Sequence, residues 1–275
     1  MTGGADWQDR VGRTWAQMWE RTDRSFGGLT EELLRRTRGL AVDCVVDIGC
    51  GAGELSCAIA RGRGHVEVLG IDISAPLLEV ARRRGAALPN LSFAQADAAT
   101  WDDPGVTPEL VISRHGVMFF DDPIAAFANL RAQSAPASQL LFSCFRAPDE
   151  NEWIRSLAEI DPEILTAPSA IDQPGPFAFA DRDAVEALLI EAGWSEPEFA
   201  PLDYAMVVGA GEQPLDDALA YLLRIGPLAR YLADLDTAGH NAAITRLRRI
   251  LAMHEHDGLI AMGASAWIVT AHNPL

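Results

Sequence analysis

The 275-residue sequence predicts an α/β fold with a seven-stranded, mostly parallel sheet and helices on both faces. Apolar runs alternate with segments of helical spacing as far as about residue 131, the pattern of parallel strands joined by helices. One of these runs, VVDIGCGAGELSCAIA (45–60), is interrupted by Gly49, Gly51 and Gly53 before helical spacing resumes. Glycine at alternate positions permits a sharp bend, so we expect a strand, a glycine turn and a helix here.

Residues 1–40 precede the first strand and are predicted to form two helices that cover the mouth of the site at the glycine turn. The break between them falls at Gly27 and Gly28. The apolar positions that share helical faces are Val11, Trp15, Met18 and Trp19 before this break, and Leu29, Leu33 and Leu34 after it.

Four further strands follow the glycine turn in the predicted main domain, 41–275. HVEVLGIDIS (65–74) forms the second strand and ends in Asp72, and the third runs from about 91 to 96 before Asp97. ELVISRH (109–115) is the fourth strand, with a helix from about Pro123, and QLLFSCFR (139–146) is the fifth. Each strand therefore ends in polar residues at one edge of the sheet.

The last third of the chain completes the sheet and adds two insertions. Asp181 can cap a helix that Gly193 ends, FAPLDYAMVV (199–208) reads as a strand, and the last strand covers about 262–271. An insertion at about 148–180 is rich in proline and acidic residues and predicts a lid with one short helix at most. A second insertion at about 214–256 predicts cap helices. Both should roof the crevice above the glycine turn.

The chemistry of the glycine turn favours a cationic nucleoside over a dinucleotide. A dinucleotide fingerprint places a third glycine where Glu54 stands, and a carboxylate at the start of a helix disfavours phosphate. Asp47 supplies a negative group for a ligand ammonium, which suits S-adenosylmethionine. Asp72 lies about twenty residues beyond the glycines, where an acid meets ribose hydroxyls, and Asp97 with the Ala98 amide can meet adenine.

The motifs VDIGCGAG, GIDIS, QADA, LVISRHGVMFFDDPIAAFANLR, LLFSCFR and GPFAFADRDAVEALLIEAGW occur in this order. In them the chain resembles the class I S-adenosylmethionine-dependent methyltransferases, and within these the bacterial small-molecule enzymes of the ubiquinone-methyltransferase-like group. The resemblance implies a Rossmann-like fold whose last strand runs antiparallel between the fifth and sixth. It also implies the cofactor-binding residues, to which we add Arg114 at the end of the fourth strand: Asp47, Gly49, Gly51, Gly53, Asp72, Ile73, Asp97, Ala98 and Arg114.

His115 is the candidate general base. It closes the fourth strand where the transferable methyl group should point, and an unperturbed imidazole accepts protons at neutral pH. Relatives often carry an aromatic residue here, so the alternatives are that His115 shapes the pocket or binds the cofactor carboxylate. Holding the reactants in line contributes about 7–11 kcal/mol, against a factor of about 10²–10⁴ from proton transfer, so positioning dominates with or without a base.

Aromatic and methionine side chains in the insertions and the later strands are candidate walls of the substrate pocket. Ordinary core packing is the competing explanation for each of them and the more common one. The candidates are Trp153, Phe177, Phe179, Met206, Tyr221 and Tyr231.

Composition excludes several classes of function. The net charge is −17 and all 22 basic residues are arginine, so the long-range field repels nucleic acid and anionic membranes. The four cysteines form no C-x-x-C pair, and His254 and His256 are two apart, which does not suit a metal pair on one helix face. We expect a cytoplasmic protein without metal, and a homodimer is compatible with the sequence.

The sequence therefore predicts an S-adenosylmethionine-dependent methyltransferase that transfers a methyl group to an O, N or C nucleophile of a small molecule. Two alternatives stay open. One is a regulator that binds S-adenosylmethionine without catalysis, and the other, which Glu54 disfavours, is a nicotinamide-dependent oxidoreductase.

Overall fold

The computed structural model describes residues 7–165, 171 and 173–274. Its strands are β1 (Cys44–Ile48), β2 (Glu67–Asp72), β3 (Leu91–Gln95), β4 (Leu110–Arg114), β5 (Gln139–Phe145), β6 (Ser195–Ala210), β7 (Glu255–His256) and β8 (Leu259–His272). Its α-helices are α1 (Arg10–Gln17), α2 (Trp19–Ser25), α3 (Gly27–Thr37), α4 (Glu54–Gly62), α5 (Ala75–Gly85), α6 (Pro123–Gln133), α7 (Glu152–Ala158), α8 (Arg182–Glu191), α9 (Pro214–Leu222), α10 (Pro227–Ala233) and α11 (Thr237–Met253).

The strands form one sheet in the order β3-β2-β1-β4-β5-β8-β6, and the two-residue β7 pairs with β8 outside this row. Strands β1 to β5 are parallel, and β8 is antiparallel to both β5 and β6. This confirms the predicted row of seven strands with an antiparallel last strand between the fifth and sixth. The central strands are apolar enough to be buried on both faces, and Leu110, Val111 and Ile112 have no exposed surface.

Helices cover both faces of the sheet. From β1 the chain moves outward through α4 and α5 to β3, and then returns to β4 and moves the opposite way through α6 to β5. Because such crossovers are right-handed, the reversal puts α6 on the face opposite α4 and α5. The point of reversal lies between β1 and β4, and ligands of open α/β sheets bind there, at the carboxyl ends of the strands.

Side-chain caps fix where two of these helices start. The Asp122 carboxylate accepts a hydrogen bond from the Ala125 amide at 2.9 Å ahead of α6, and Asp181 accepts from the Asp183 and Ala184 amides ahead of α8. The predicted helix start at Pro123 and the predicted cap at Asp181 are both confirmed.

Three helices, rather than the predicted two, precede β1 in the described residues. The chain turns at Met18 and again at Phe26, both with φ near −100° (−104° and −102°), so the apolar stripe before the glycines is divided between α1 and α2. Gly27 and Gly28 begin α3 instead of separating two helices. Residues 1–6 of the predicted segment 1–40 lie outside the described residues.

The two predicted insertions contain helices and turns in the described residues. The first, 148–180, contains α7 and two short 3₁₀ turns, and its residues 166–170 and 172 lie outside the described part. The second contains α9, α10 and α11, which bury Leu219, Leu228 and Leu247. This cap begins after β6 and ends before β8. The two strands are paired where the cap leaves them, because Ala210 pairs with Leu259.

Candidate active site

The glycine turn between β1 and α4 has three glycines with positive φ, and they differ in what surrounds them. Gly49, Gly51 and Gly53 have φ values of 60°, 55° and 78°. A Cβ at Gly49 would lie 2.9 Å from Gly116 Cα, and one at Gly53 would lie 2.9 Å from the Phe93 ring, but nothing lies within 4 Å of a Cβ at Gly51. The turn is therefore packed at its two ends and open at its centre.

Asp72, at the end of β2, holds the open part of this turn. One carboxylate oxygen accepts a hydrogen bond from the Gly51 amide at 2.8 Å, and the other accepts from the Ser74 amide at 2.8 Å. Burial raises the pKa of Asp72, and the two amides oppose that shift because they stabilise the ionised form. One carboxylate thus ties the ends of two adjacent strands together.

Asp47 is a buried carboxylate at the end of β1, with 1% of its surface exposed. Its Oδ2 accepts a hydrogen bond from the Ser56 hydroxyl. Burial raises its pKa to about 7, and no arginine in the described residues forms an ion pair with it. A bound cation nearby would favour the ionised form.

A cavity of about 670 Å³ opens above these groups and lies within the usual range of about 300–1,000 Å³ for ligand sites. Most of the predicted site residues line it. They are Asp47, Gly49, Gly51, Asp72, Ile73, Asp97, Ala98, Arg114, His115, Trp153, Met206 and Tyr221.

Four predicted residues do not line this cavity. Gly53 faces the Phe93 ring at the start of α4. Phe177 stacks on Trp153 with ring centroids 5.8 Å apart, and Phe179 packs on Phe127 and Phe142 in the core.

Tyr231 is the fourth, and it donates a hydrogen bond to Asp161 at 2.9 Å. Phe177, Phe179 and Tyr231 therefore do not line the cavity in the described structure. Their side chains pack in the core or in the cap instead, which is the more common position for aromatic residues.

One edge of the His115 ring faces Ser143. Its φ of 62° places His115 in the left-handed region, and Nδ1 lies 3.1 Å from the Ser143 carbonyl oxygen and 3.2 Å from the Ser143 hydroxyl. Nε2 is buried and has no hydrogen-bond partner in the described chain. Burial lowers the pKa of His115 to about 3. The imidazole is therefore neutral and a weak base, which opposes the general-base hypothesis.

Arg114 joins the sheet to the helices that precede it. It donates to Asp23 of α2 at 3.1 Å and to the Thr30 hydroxyl of α3 at 2.7 Å. Asp23 also lies 2.8 Å from Arg84, which binds Glu54 at 2.6 Å. Burial raises the pKa of Asp23 to about 6, although both arginines act in the opposite direction.

The same cluster changes the argument about Glu54. Its carboxylate binds Arg84 and does not line the cavity, so its charge is offset there. The spacing of the glycines still disfavours a dinucleotide, because Glu54 stands where the fingerprint requires a third glycine.

Three arginines that no sequence pattern singled out also line the cavity. Arg10 comes from α1, Arg224 follows α9 and Arg230 lies in α10. Within the described chain, none of these side chains forms an ion pair or a hydrogen bond. Arg224 and Arg230 flank the Gly226–Pro227 turn, but no spacing in the sequence shows that this turn faces the site.

Two further properties of the described residues bear on the site. No group of three or more histidine, cysteine, aspartate or glutamate side chains there could hold a metal ion. None of its helices is both long and apolar enough to cross a membrane.

Comparison with known proteins agrees with this geometry. A family described as "Methyltransferase domain" matches residues 45–136. Trans-aconitate 2-methyltransferase of Methylobacterium radiotolerans is 35% identical over 156 residues, which cover 57% of this chain and 54% of that protein. The same enzyme of Klebsiella pneumoniae is 28% identical over 228 residues, covering 81% of this chain and 82% of that one.

Solved structures share the fold at low sequence identity. Phosphoethanolamine N-methyltransferase 2 of Haemonchus contortus, in complex with S-adenosyl-L-methionine, superposes with a TM-score of 0.59 at 16% identity, covering 100% of this chain and 61% of that one. The YcgJ protein of Bacillus subtilis gives a TM-score of 0.54 at 15% identity, covering 90% and 98%. These likenesses confirm the predicted Rossmann-like fold.

Proposed function

We propose that the chain is an S-adenosylmethionine-dependent methyltransferase that transfers the methyl group to a carboxylate oxygen of a small acidic molecule. One observation carries the choice of an acid. Arg224 and Arg230 line the same cavity as the open glycine Gly51 and have no carboxylate partner in the described chain. With a net charge of −17, unpaired arginines at a ligand site favour an anionic ligand.

The relatives support an acid substrate. Several of them are named trans-aconitate 2-methyltransferase, and trans-aconitate is a carboxylate. A guanidinium matches a carboxylate in shape and charge, because its N–H groups form a fork that can donate two hydrogen bonds.

The residues at the glycine turn fit the cofactor. The open space at Gly51 admits a ligand close to the backbone of the turn, and the buried Asp47 suits the ammonium of the methionine end. Gly49 and Gly53 shape the turn. Asp72 and Ile73 would meet ribose and adenine, Asp97 and Ala98 the adenine edge, and Arg114 the cofactor carboxylate.

Bound S-adenosylmethionine supplies a methyl group on a positively charged sulfur. The nucleophile attacks the methyl carbon and displaces the sulfur in line. The residues of this chain need to orient the two ligands and exclude water. Holding the reactants in this way lowers the barrier of the reaction by about 7–11 kcal/mol. A carboxylic acid with a pKa of about 4 is already ionised at neutral pH, so no proton has to be removed from it. The neutral His115, with its pKa of about 3, suits a reaction without a base.

Four further statements are part of the proposal. We place the N-terminal helices in residues 1–40 and the methyltransferase domain in 41–275, with the lid at 148–180 and the cap at 214–256. We place the protein in the cytoplasm, without a nucleic-acid or membrane partner, and take a homodimer as its oligomeric form. The acidic charge supports the absence of a nucleic-acid partner, because it repels phosphate.

The test is methyl transfer to a panel of small carboxylic acids, with Arg224→Gln and Arg230→Gln compared with the parent. Each variant should keep its affinity for S-adenosylhomocysteine. Its KM for the acid should rise about 10- to 150-fold, since a hydrogen bond to a charged group contributes about 1.5–3 kcal/mol. Arg83→Gln is the matched control, because Arg83 is exposed on α5 and does not line the cavity.

Three outcomes contradict the proposal in different ways. Tight binding of S-adenosylhomocysteine without product from any substrate indicates a regulator. Saturable binding of NADH without affinity for S-adenosylhomocysteine indicates an oxidoreductase. An unchanged KM for the acid in both variants shows that these arginines do not hold the acid.

A further inference from the structure

One side of the cavity is a wall of apolar side chains from elements that are far apart in the sequence. Together they form what we call the apolar chamber, which the helical cap closes from above. Its residues are Phe26, Phe145, Trp153, Met206, Tyr221 and Ile225, and all of them line the cavity.

The chamber is built from packed rings. The Phe145 ring lies 6.2 Å from Phe26 and 5.4 Å from Trp153, measured between ring centroids. His115 lies beside it, 4.2 Å from the Phe145 ring. All four side chains are buried, so their positions are fixed by contacts within the fold.

The polar atoms around the chamber offer little to a charged ligand. Trp153 Nε1 donates to Asn151 Oδ1 at 3.1 Å, and His115 Nδ1 is taken by the Ser143 carbonyl. Burial keeps the imidazole neutral and raises the pKa of Tyr221, so its hydroxyl is neutral as well. Arg114 lies 5.6 Å from the Phe26 ring centroid but is paired with Asp23, so an ionised carboxylate placed here would lose its water without gaining an unpaired cation, which costs several kcal/mol.

The unpaired cationic groups lie elsewhere on the cavity wall. Arg224 and Arg230 belong to the exposed part of the cap, and both keep their donors available within the described chain. The cavity therefore has a cationic rim and an apolar interior, and a ligand that fills both must itself be apolar at one end and acidic at the other.

We propose that the substrate is amphipathic, with one acidic group at Arg224 and Arg230 and an apolar body about the size of an aromatic ring in the apolar chamber. This inference rests on the proposed function and narrows it. The chain then differs from relatives named for trans-aconitate, because it prefers an acid with an apolar body to a small molecule with several carboxylates.

Two acids test the inference, because both are trans-propenoic acids. Trans-cinnamate carries a phenyl ring where trans-aconitate carries further carboxyl groups. We expect kcat/KM for trans-cinnamate to be at least tenfold higher. The protein loaded with S-adenosylhomocysteine should also bind trans-cinnamate more tightly in calorimetry, which does not depend on turnover.

The outcomes separate the two proposals. Preference for trans-aconitate in both measurements overturns the inference and leaves the proposed function standing. If neither acid binds or is methylated, the inference fails. If no acid of the wider panel is methylated either, the proposed function fails with it.

A variant tests whether the apolar body of the substrate binds in the apolar chamber. Met206→Gln keeps the length of the side chain and adds an amide to the chamber wall, so we expect about tenfold weaker binding of trans-cinnamate with S-adenosylhomocysteine affinity retained. Met253→Gln is the matched control, since Met253 is 65% exposed at the end of α11. If Met206→Gln does not fold, Ile225→Thr repeats the test. Parental affinity for trans-cinnamate in a folded variant contradicts the inference.

Discussion

Replacing Gly51 by alanine separates the folding role of the glycine turn from its binding role. At φ 55° an alanine costs about 1–2 kcal/mol of stability, because a Cβ crowds the backbone in the left-handed region. No atom lies within 4 Å of the added methyl group, so no clash adds to this cost. The methyl group instead enters the space where we expect the cofactor. Losing one main-chain hydrogen bond to a charged cofactor group raises the Kd about 10- to 150-fold.

Gly49→Ala provides the comparison. Its φ of 60° gives the same backbone cost, but its Cβ would lie 2.9 Å from Gly116 Cα, so it should lose more stability than Gly51→Ala. Urea denaturation gives the free energy of unfolding, and calorimetry with S-adenosylhomocysteine gives the Kd. Parental affinity in Gly51→Ala, or a larger stability loss in Gly51→Ala than in Gly49→Ala, refutes the reasoning.

Three further predictions concern the ionisable groups. Because burial raises the pKa of Asp47 from 3.8 to about 7, the folded protein holds a proton that the unfolded chain has released, and the free energy of unfolding should fall as the pH rises towards 7. Asp47→Asn should flatten this fall most clearly between about pH 6 and 7, where Asp23 is more than half titrated and Asp47 is not, and an unchanged slope in urea denaturation counts against the assignment. His115→Gln should lower kcat by less than about tenfold and leave the pH–rate profile between about pH 6 and 8 unchanged; loss of an inflection near 6.5 would restore the general base. Asp23→Asn should speed the dissociation of S-adenosylhomocysteine and increase amide exchange in α1 and α2, because it removes the ion pair with Arg114, whereas Glu20→Gln, an exposed change on the same helix, should do neither.

The sequence predicted the parts of the site that local patterns encode. A strand, a glycine turn and a helix can be recognised in a short stretch of sequence. The turn at Gly49 and Gly51 and the positions of Asp47 and Asp72 therefore followed from spacing alone. The order of the strands followed from the resemblance. These features depend on short segments and on rules common to all α/β sheets.

Other features depend on contacts between distant segments, and no local pattern encodes them. Trp153 and Phe177 are both aromatic residues of one insertion, yet one lines the cavity and the other packs behind it. Arg224 and Arg230 read as surface residues of an amphipathic cap. The low pKa of His115 comes from burial by Phe26 and Phe145, which lie about 90 residues before it and 30 after it. Only packing brings these groups together.

The two coverings of the cavity are attached to the sheet in different ways. The cap of α9 to α11 starts and ends in β6 and β8, which pair along most of their length up to Ala210 and Leu259. Helices α1 to α3 join the described sheet through residues 38–43 and are held to it by Arg114 and by Arg24, which donates to the Val207 and Val208 carbonyls of β6. Arg21 and Arg24 of α2 also pair with Asp217 of α9, so the two coverings of the cavity are joined to each other. Separating them to admit a ligand would therefore break several ion pairs at once, and ligand exchange should slow as the ionic strength falls.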